Sequence, residues 1–177
     1  MNRADLVALL RDGVGERRGG RWADLGAGEG AFTHALRELL GPDAHISAVD
    51  KDRRALQSIT GDFELRVADF TKPLDLRDLD GIVMANSLHF VRDKDQVLRS
   101  VRAMLKPGGR LIVVEYDAER GNPWVPHPFT YATWEKLAAR AGFVETRFLH
   151  SVPSRWLNAL WSAVSLIRSP TSVGAIS

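Results

Sequence analysis

The feature that most constrains this chain is a regular alternation of short apolar strands with amphipathic helices through its first two thirds. RWADLG reads as a strand closed by glycine. A helix follows in which Phe32, Ala35, Leu36, Leu39 and Leu40 recur at intervals of three and four, until Gly41-Pro42-Asp43 stops it. HISAVD is a second strand and Arg53 to Ile59 a helix. FELRVADF is a third strand, and Lys72 to Asp80 is a loop with one helical turn. GIVMAN is a fourth strand. Asp93 to Leu105 is a helix with Val97, Leu98, Val101 and Met104 on one face, ended by Lys106-Pro107-Gly108-Gly109. RLIVVEY, an almost unbroken apolar run, is a strand covered on both faces. Such alternation predicts a parallel sheet with right-handed crossovers.

The pattern changes after the fifth strand. Glu119 to Phe129 is a loop with three prolines and Trp124, and Thr130 to Ala141 is a helix with Tyr131, Trp134, Leu137 and Ala138 inward. Two strands then follow closely, near Val144 to His150 and Trp161 to Arg168. The connection between them is too short for a crossover helix, so they are expected to pair antiparallel. A short amphipathic helix, Arg3 to Arg11, precedes the first strand. We therefore expect one α/β domain over residues 1–168 and a flexible tail over 169–177.

Between strand one and its helix lies Ala23-Asp24-Leu25-Gly26-Ala27-Gly28-Glu29-Gly30. Glycines there permit a tight turn and close approach of a ligand to the helix N-terminus. Asp50 closes strand two about twenty residues on, where a carboxylate can accept from both hydroxyls of a ribose. Loop and acid together indicate a nucleoside-containing ligand. Gly26-x-Gly28-x-x-Ala31 also satisfies the loose dinucleotide fingerprint. Charge separates the options. Asp24 and Glu29 flank the loop and would repel a pyrophosphate, whereas S-adenosylmethionine carries a sulfonium, an ammonium and one carboxylate.

Together these segments resemble the class I S-adenosylmethionine-dependent methyltransferases over about Trp22 to Ile167. ADLGAGEG is similar to the family's first motif, AVDKD to its acidic second motif, and VADF to the adenine-contacting segment. ANSLHFVRD is similar to the fourth-strand motif beside the methyl-transfer site, and LKPGGRLIVVEY to the helix–turn–strand that follows. The resemblance implies a doubly wound, seven-stranded, mostly parallel sheet of order 3-2-1-4-5-7-6, strand seven antiparallel, with helices on both faces. It also implies S-adenosylmethionine as cofactor. Gly26, Ala27, Gly28 and Gly30 would wrap the methionine portion, with Asp24 near its ammonium. Asp50 would hold the ribose. Lys51 and Asp52 would lie along the adenine or point to water. Asp69 would accept from the adenine amino group, Phe70 would pack on the ring, and Asn86, Ser87 and Leu88 would border the sulfonium.

Methyl transfer is an in-line displacement in which the cofactor supplies the difficult chemistry and the protein supplies alignment. His89, after strand four, is the candidate general base, with a packing or substrate-lining role as the alternative. Tyr116 ends strand five near the same edge and is a candidate for a substrate hydrogen bond. His127 lies in the proline-rich loop, a position from which it would cover the pocket, and His34 is structural or exposed. His45 and His150 lack a second ligand at metal-binding spacing, so no metal is expected.

ANSL lacks the Asn/Asp-Pro-Pro-Tyr pattern that resembling enzymes use on nucleic-acid amino groups. The basic run GERRGGR, with Arg17, Arg18 and Arg21, is short for a phosphate-tracking patch, and the net charge is only +2. Both observations argue against a nucleic-acid acceptor. GNPWVPHPF and SRWLNALW supply aromatic surface, as substrate lining or as core or dimer contacts through Trp124, Trp156 and Trp161. A small organic acceptor is the leading expectation. An RNA or protein methyltransferase, an NAD-dependent oxidoreductase and a catalytically silent cofactor-binding module are the alternatives. The pocket would be open, or lidded by the N-terminal helix or by a second copy in a homodimer. The chain has no cysteine and no apolar run near the roughly 20 residues that span a bilayer, and its first residues do not read as a secretory leader. A cytoplasmic location without membrane attachment is expected.

Overall fold

A computed structural model describes residues 1–16, 18–154 and 157–169. Its elements in chain order are α1 (Arg3–Val14), β1 (Arg21–Leu25), α2 (Ala31–Leu40), β2 (His45–Asp50), α3 (Arg53–Gln57), β3 (Glu64–Val67) and β4 (Leu79–Ala85). There follow a 3-10 turn (Leu88–Phe90), α4 (Lys94–Met104), β5 (Leu105–Tyr116), α5 (Tyr131–Arg140), β6 (Glu145–Pro153) and β7 (Ala159–Leu166). One sheet holds all seven strands in the order β3-β2-β1-β4-β5-β7-β6. The first five pair in parallel, and β7 runs antiparallel to both β5 and β6. This is the expected order and sense. Arg17, Trp156 and the tail beyond Ser169 lie outside the described residues.

Alternation along β4 shows how the layers form. Ile82 and Met84 pack into one apolar cluster with Val97, Leu98 and Val101 of α4 and Trp134 and Leu137 of α5. Val83 and Ala85 point to the other face, into a cluster with Leu9 and Leu10 of α1 and Phe32 and Leu36 of α2. A strand period of two thus feeds two cores, which is why β4 and β5 read as continuous apolar runs.

Several local expectations change. Lys72 to Asp80 contains no helical turn. It runs irregularly to Asp78, at φ 54°, while Leu74 and Leu76 pack onto the α4–α5 cluster where a crossover helix would otherwise lie. Two separate leucines can cover the face without helical periodicity. Strand three ends at Val67, so Asp69 and Phe70 sit in the turn that follows it, and α3 stops at Gln57. Lys106 to Gly109 belong to β5, whose pairing with β4 shifts register between Leu79 and Gly81. Trp161 is core: it is buried, and its indole N–H donates to the Phe129 carbonyl at 3.2 Å.

Candidate active site

The carboxyl ends of β1, β2 and β4 bring the glycine loop, Asp50 and Asn86-Ser87 to one sheet edge, with Asp69 just past β3. The loop is built by backbone donors. Gly26 and Ala27 both donate to the Val49 carbonyl, at 2.8 and 3.0 Å, and Gly30 donates to the Ala27 carbonyl at 2.9 Å. Gly28 donates to Asp50 Oδ2 at 2.8 Å. Four amide donors are therefore committed within the protein, which leaves the loop poor in donors for a pyrophosphate. Gly26, Gly28 and Gly30 all have positive φ. A Cβ on Gly26 would lie 2.4 Å from Ser87 Cβ, whereas one on Gly28 would meet no protein atom within 4 Å. Gly26 is needed for close packing against the turn after β4. Gly28 borders open space, and a side chain there projects into the cleft.

Asp24 lies beneath the loop, 1% exposed. Its Oδ2 accepts from Thr33 Oγ1 at 2.7 Å, and its Oδ1 is buried without a partner among the described residues. Burial pushes this carboxyl up to about 6, with nearby Asp50 adding to the rise and Thr33 opposing it. An unpaired buried oxygen of this kind calls for a donor, and the ammonium of S-adenosylmethionine has the chemistry to supply one.

Asp50 has each oxygen on one backbone amide, Oδ2 on Gly28 and Oδ1 on Asp52 at 2.9 Å. A carboxylate has about four lone-pair sites, so two remain for ribose hydroxyls. Asp69 Oδ1 accepts from the Thr71 amide and hydroxyl at 2.9 and 2.7 Å, and those bonds hold its carboxyl below the ordinary value. Phe70 is half-buried and packs against the α4–α5 cluster, near the point where a Cβ on Gly26 would reach. Lys51 is exposed. Asp52 caps α3, accepting from Arg54 and Ala55.

On the other side of the loop, Ser87 Oγ donates to the Leu25 carbonyl at 2.8 Å, tying the turn after β4 to β1. Asn86 takes a left-handed conformation, φ 52°, and its Oδ1 is buried without a partner among the described residues. His89 is buried. Its Nδ1 lies 2.7 Å from Oε2 of Glu115, which is fully buried in β5. Glu115 Oε1 accepts from the Leu88 and His89 amides at 2.9 and 3.1 Å. With Glu115 held as an acceptor, Nδ1 carries a proton, so in the neutral imidazole it is Nε2 that carries the lone pair. Sequence reading missed Glu115. Its signal was a charged residue inside a strand covered on both faces, since such a charge requires a buried partner.

Tyr116 follows, with its hydroxyl pKa raised by burial and by the Glu115 charge, so the phenol stays protonated. Two cavities share Asn86 and Tyr116. One of about 170 Å³ is also lined by His89, Phe90, Trp124 and Val125. The other, of about 590 Å³, is bounded by Met1, Asn2 and Asp5 at the start of α1. The N-terminal helix therefore borders the site, one of the two coverings expected. His127 does not reach these cavities. Its amide donates to the His89 carbonyl at 3.0 Å, and its side chain lines a separate cleft with Arg92 and Arg140. His34 is exposed, edge-on to Phe63, and His45 pairs with Glu64. Among the described residues no three potential metal ligands come together.

A sheet of this order with an acid-buttressed glycine loop at its carboxyl edge defines the Rossmann-like methyltransferase class of folds. Residues 23–111 match the model of the family described as "Methyltransferase domain", half of the chain, and the chain belongs to that family. The ubiquinone/menaquinone biosynthesis C-methyltransferase UbiE of Ectopseudomonas mendocina is 32% identical over 119 residues, 62% of this chain and 46% of that protein. The chain thus spans less than half the length of the curated relatives it matches. Among solved structures, the YcgJ protein of Bacillus subtilis superposes with a TM-score of 0.75 at 12% identity, over 94% of this chain and all of that one. Human N-acetylserotonin methyltransferase, solved with S-adenosylmethionine, does so with 0.70 at 20% identity, over 96% of this chain and 52% of that one.

Proposed function

We propose that residues 1–168 form an S-adenosylmethionine-dependent methyltransferase domain that acts on a small organic acceptor. The observation that carries this reading is the buried Oδ1 of Asp24, unpartnered among the described residues, beneath a loop with four amide donors already committed. That arrangement suits a cationic ligand group and disfavours a pyrophosphate, so an NAD-dependent oxidoreductase is the poorer fit. Asp24 holds the ammonium, Gly26, Ala27, Gly28 and Gly30 wrap the methionine portion, and Asp50 holds the ribose. Asp69 accepts from the adenine amino group with Oδ2, Phe70 packs on the ring, and Asn86 and Ser87 border the sulfonium. Lys51, exposed beside Asp69, has its electrostatic influence there and no enclosed contact.

When bound, S-adenosylmethionine supplies an activated methyl group. The residues of this chain orient the acceptor and remove its proton. His89 Nε2 is the base, and Glu115 fixes its tautomer. The His89–Glu115 pair is itself buried, so the partner's charge is poorly screened. The UbiE relatives are named for C-methylation in quinone biosynthesis, and a small acceptor accords with that name. Among the described residues no helix is long and apolar enough to cross a membrane, and a cytoplasmic setting accords with a chain that lacks cysteine.

Calorimetric titration with S-adenosylhomocysteine and with NAD tests the reading. S-adenosylhomocysteine is expected to bind and NAD to bind far more weakly. Tighter binding of NAD would end it.

A further inference from the structure

The smaller cavity over His89 has walls that the methyltransferase reading leaves unexplained. Phe90 is 60% exposed and Trp124 67% exposed, the two most exposed aromatic rings among the described residues, and both line this one space. They come from different elements. Phe90 ends the 3-10 turn after β4, while Trp124 sits in the loop between β5 and α5, held by Asn122 Oδ1, which accepts from the Trp124 and Val125 amides at 2.9 and 2.8 Å. Large exposed apolar side chains converging on one concavity mark a binding surface more than a packing accident.

Size and polarity narrow the occupant. The cavity holds about 170 Å³, close to the roughly 150 Å³ of an engineered apolar cavity that takes one benzene. None of its six lining residues, Asn86, His89, Phe90, Tyr116, Trp124 and Val125, carries a fixed charge. The ring is therefore neutral. Its polar end is dictated by the inner wall, where His89 Nε2 and Tyr116 Oη make no hydrogen bond within the protein among the described residues. In the neutral imidazole Nε2 offers a lone pair, and the protonated Tyr116 hydroxyl both donates and accepts.

Resting on the methyltransferase reading, we propose that this cavity is the acceptor subsite and takes a single uncharged aromatic ring bearing a hydroxyl. The ring stacks against Phe90 and Trp124, and the hydroxyl points inward to His89 Nε2 and Tyr116. Substituents on the ring lead past Asn86 and Tyr116 into the larger cavity beside Met1 and Asn2. Ser87 links the turn carrying this cavity to the glycine loop, which sets the hydroxyl at the border of the cofactor cleft. Aromatic walls favour a planar π-system over a puckered ring of equal size, because offset and edge-to-face contacts need a flat partner.

The test uses phenol as probe and cyclohexanol, similar in size and also a hydroxyl compound but not planar, as control. The indole N–H resonance of Trp124, assigned through Trp124→Phe, is followed during titration of the whole chain, with and without saturating S-adenosylhomocysteine. Phenol is expected to shift that resonance with affinity on the order of millimolar, at least about fivefold tighter than cyclohexanol. Phe90→Ala and Trp124→Ala, both at exposed positions, are expected to weaken phenol about three- to tenfold, the latter read on the Tyr116 ring signals, with S-adenosylhomocysteine affinity within twofold of wild type. Equal binding of the two probes, or phenol binding indifferent to both substitutions, overturns the subsite. Failure of S-adenosylhomocysteine to bind overturns the cofactor reading instead, and the titration of phenol alone still decides the cavity.

Discussion

The His89 imidazole and the Glu115 carboxylate meet at 2.7 Å with almost no solvent on either, although 26 positions separate them in the chain. Adjacent pairing of β4 and β5 creates the contact: Ala85 and Val114 are register partners, so the turn after one strand lies over the end of the other. Two further bonds from Glu115 to the Leu88 and His89 amides fix the turn as well as the ring.

Glu115→Gln is expected to keep those amide bonds while its side-chain NH₂ donates to Nδ1 and moves the imidazole proton to Nε2. Turnover should fall by about 10²–10⁴-fold, the usual contribution of a general base, with S-adenosylhomocysteine affinity within about threefold of wild type. His89→Ala should cost a similar factor, and the double variant little more than either single one. Steady-state kinetics with calorimetry checks this. A loss below about tenfold for Glu115→Gln would mean that the pair only holds the turn together.

Gly28→Ala separates turn from cradle. The residue sits at φ 53° and its Cβ would touch nothing in the protein, so the stability cost should be limited to the left-handed penalty of about 1–2 kcal/mol. The same Cβ enters the proposed cofactor volume, and S-adenosylhomocysteine affinity should fall at least about tenfold. Gly28→Val adds a branched side chain, and binding should be lost outright while far-ultraviolet dichroism stays native. Thermal melts and calorimetry on both variants distinguish the two effects.

Asp24 predicts a pH dependence with two opposite signs. Its folded value of about 6 stands above the ordinary 3.8. Between these pH values the folded state holds more protons than the unfolded one. Without ligand, this group's contribution to stability therefore declines as pH rises from about 4 to 6, by up to about 3 kcal/mol. A cationic ligand group favours the ionised form, so S-adenosylhomocysteine affinity should increase as pH passes upward through about 6. Asp24→Asn keeps the Thr33 bond and should flatten both profiles. Denaturant melts from pH 4 to 7 and titrations from pH 5 to 7.5 measure them, and an affinity profile identical in wild type and Asp24→Asn would remove Asp24 from the ligand.

Asp50 and Asp69 should differ in kind. Charge-assisted bonds to two ribose hydroxyls contribute roughly 1.5–3 kcal/mol each, so Asp50→Ala should cost about 100-fold in cofactor affinity or more, because the Gly28 anchor is lost with it. Asp69→Ala removes one contact to an amino group and should cost about tenfold. It should also blunt discrimination against an inosine analogue of the cofactor, which Asp50→Ala should leave intact. Paired affinities for both cofactors decide; wild-type binding of the adenosine cofactor by Asp69→Ala would misplace the adenine.

Much of the candidate site was legible because its residues sit at strand ends, and strand ends are marked by local signals. Gly26 to Gly30 announce themselves by composition, Asp50 by terminating an apolar run, and His89 by following one. Phe70 and Asp69 were legible too, although assigned to a strand that stops at Val67. Hydrogen bonding of Asp69 to Thr71 forms a turn there, and propensity does not report which partner a side chain chooses. The one helical turn expected in the loop from Lys72 to Asp80 is absent for a similar reason: Leu74 and Leu76 serve as two separate plugs on the sheet.

By itself the sequence determined the alternation of elements, the antiparallel closing pair and the glycine–acid frame of the site, because each rests on periodicity or on backbone freedom within a few residues. Only the tertiary structure decided which groups are paired and which are left wanting. Glu115 became His89's partner through register between β4 and β5, Asp24 acquired through burial an oxygen unpartnered among the described residues, and Trp124 and Phe90 came to face one cavity through loops 34 positions apart. Burial and long-range pairing depend on how layers stack, and no local pattern carries that information.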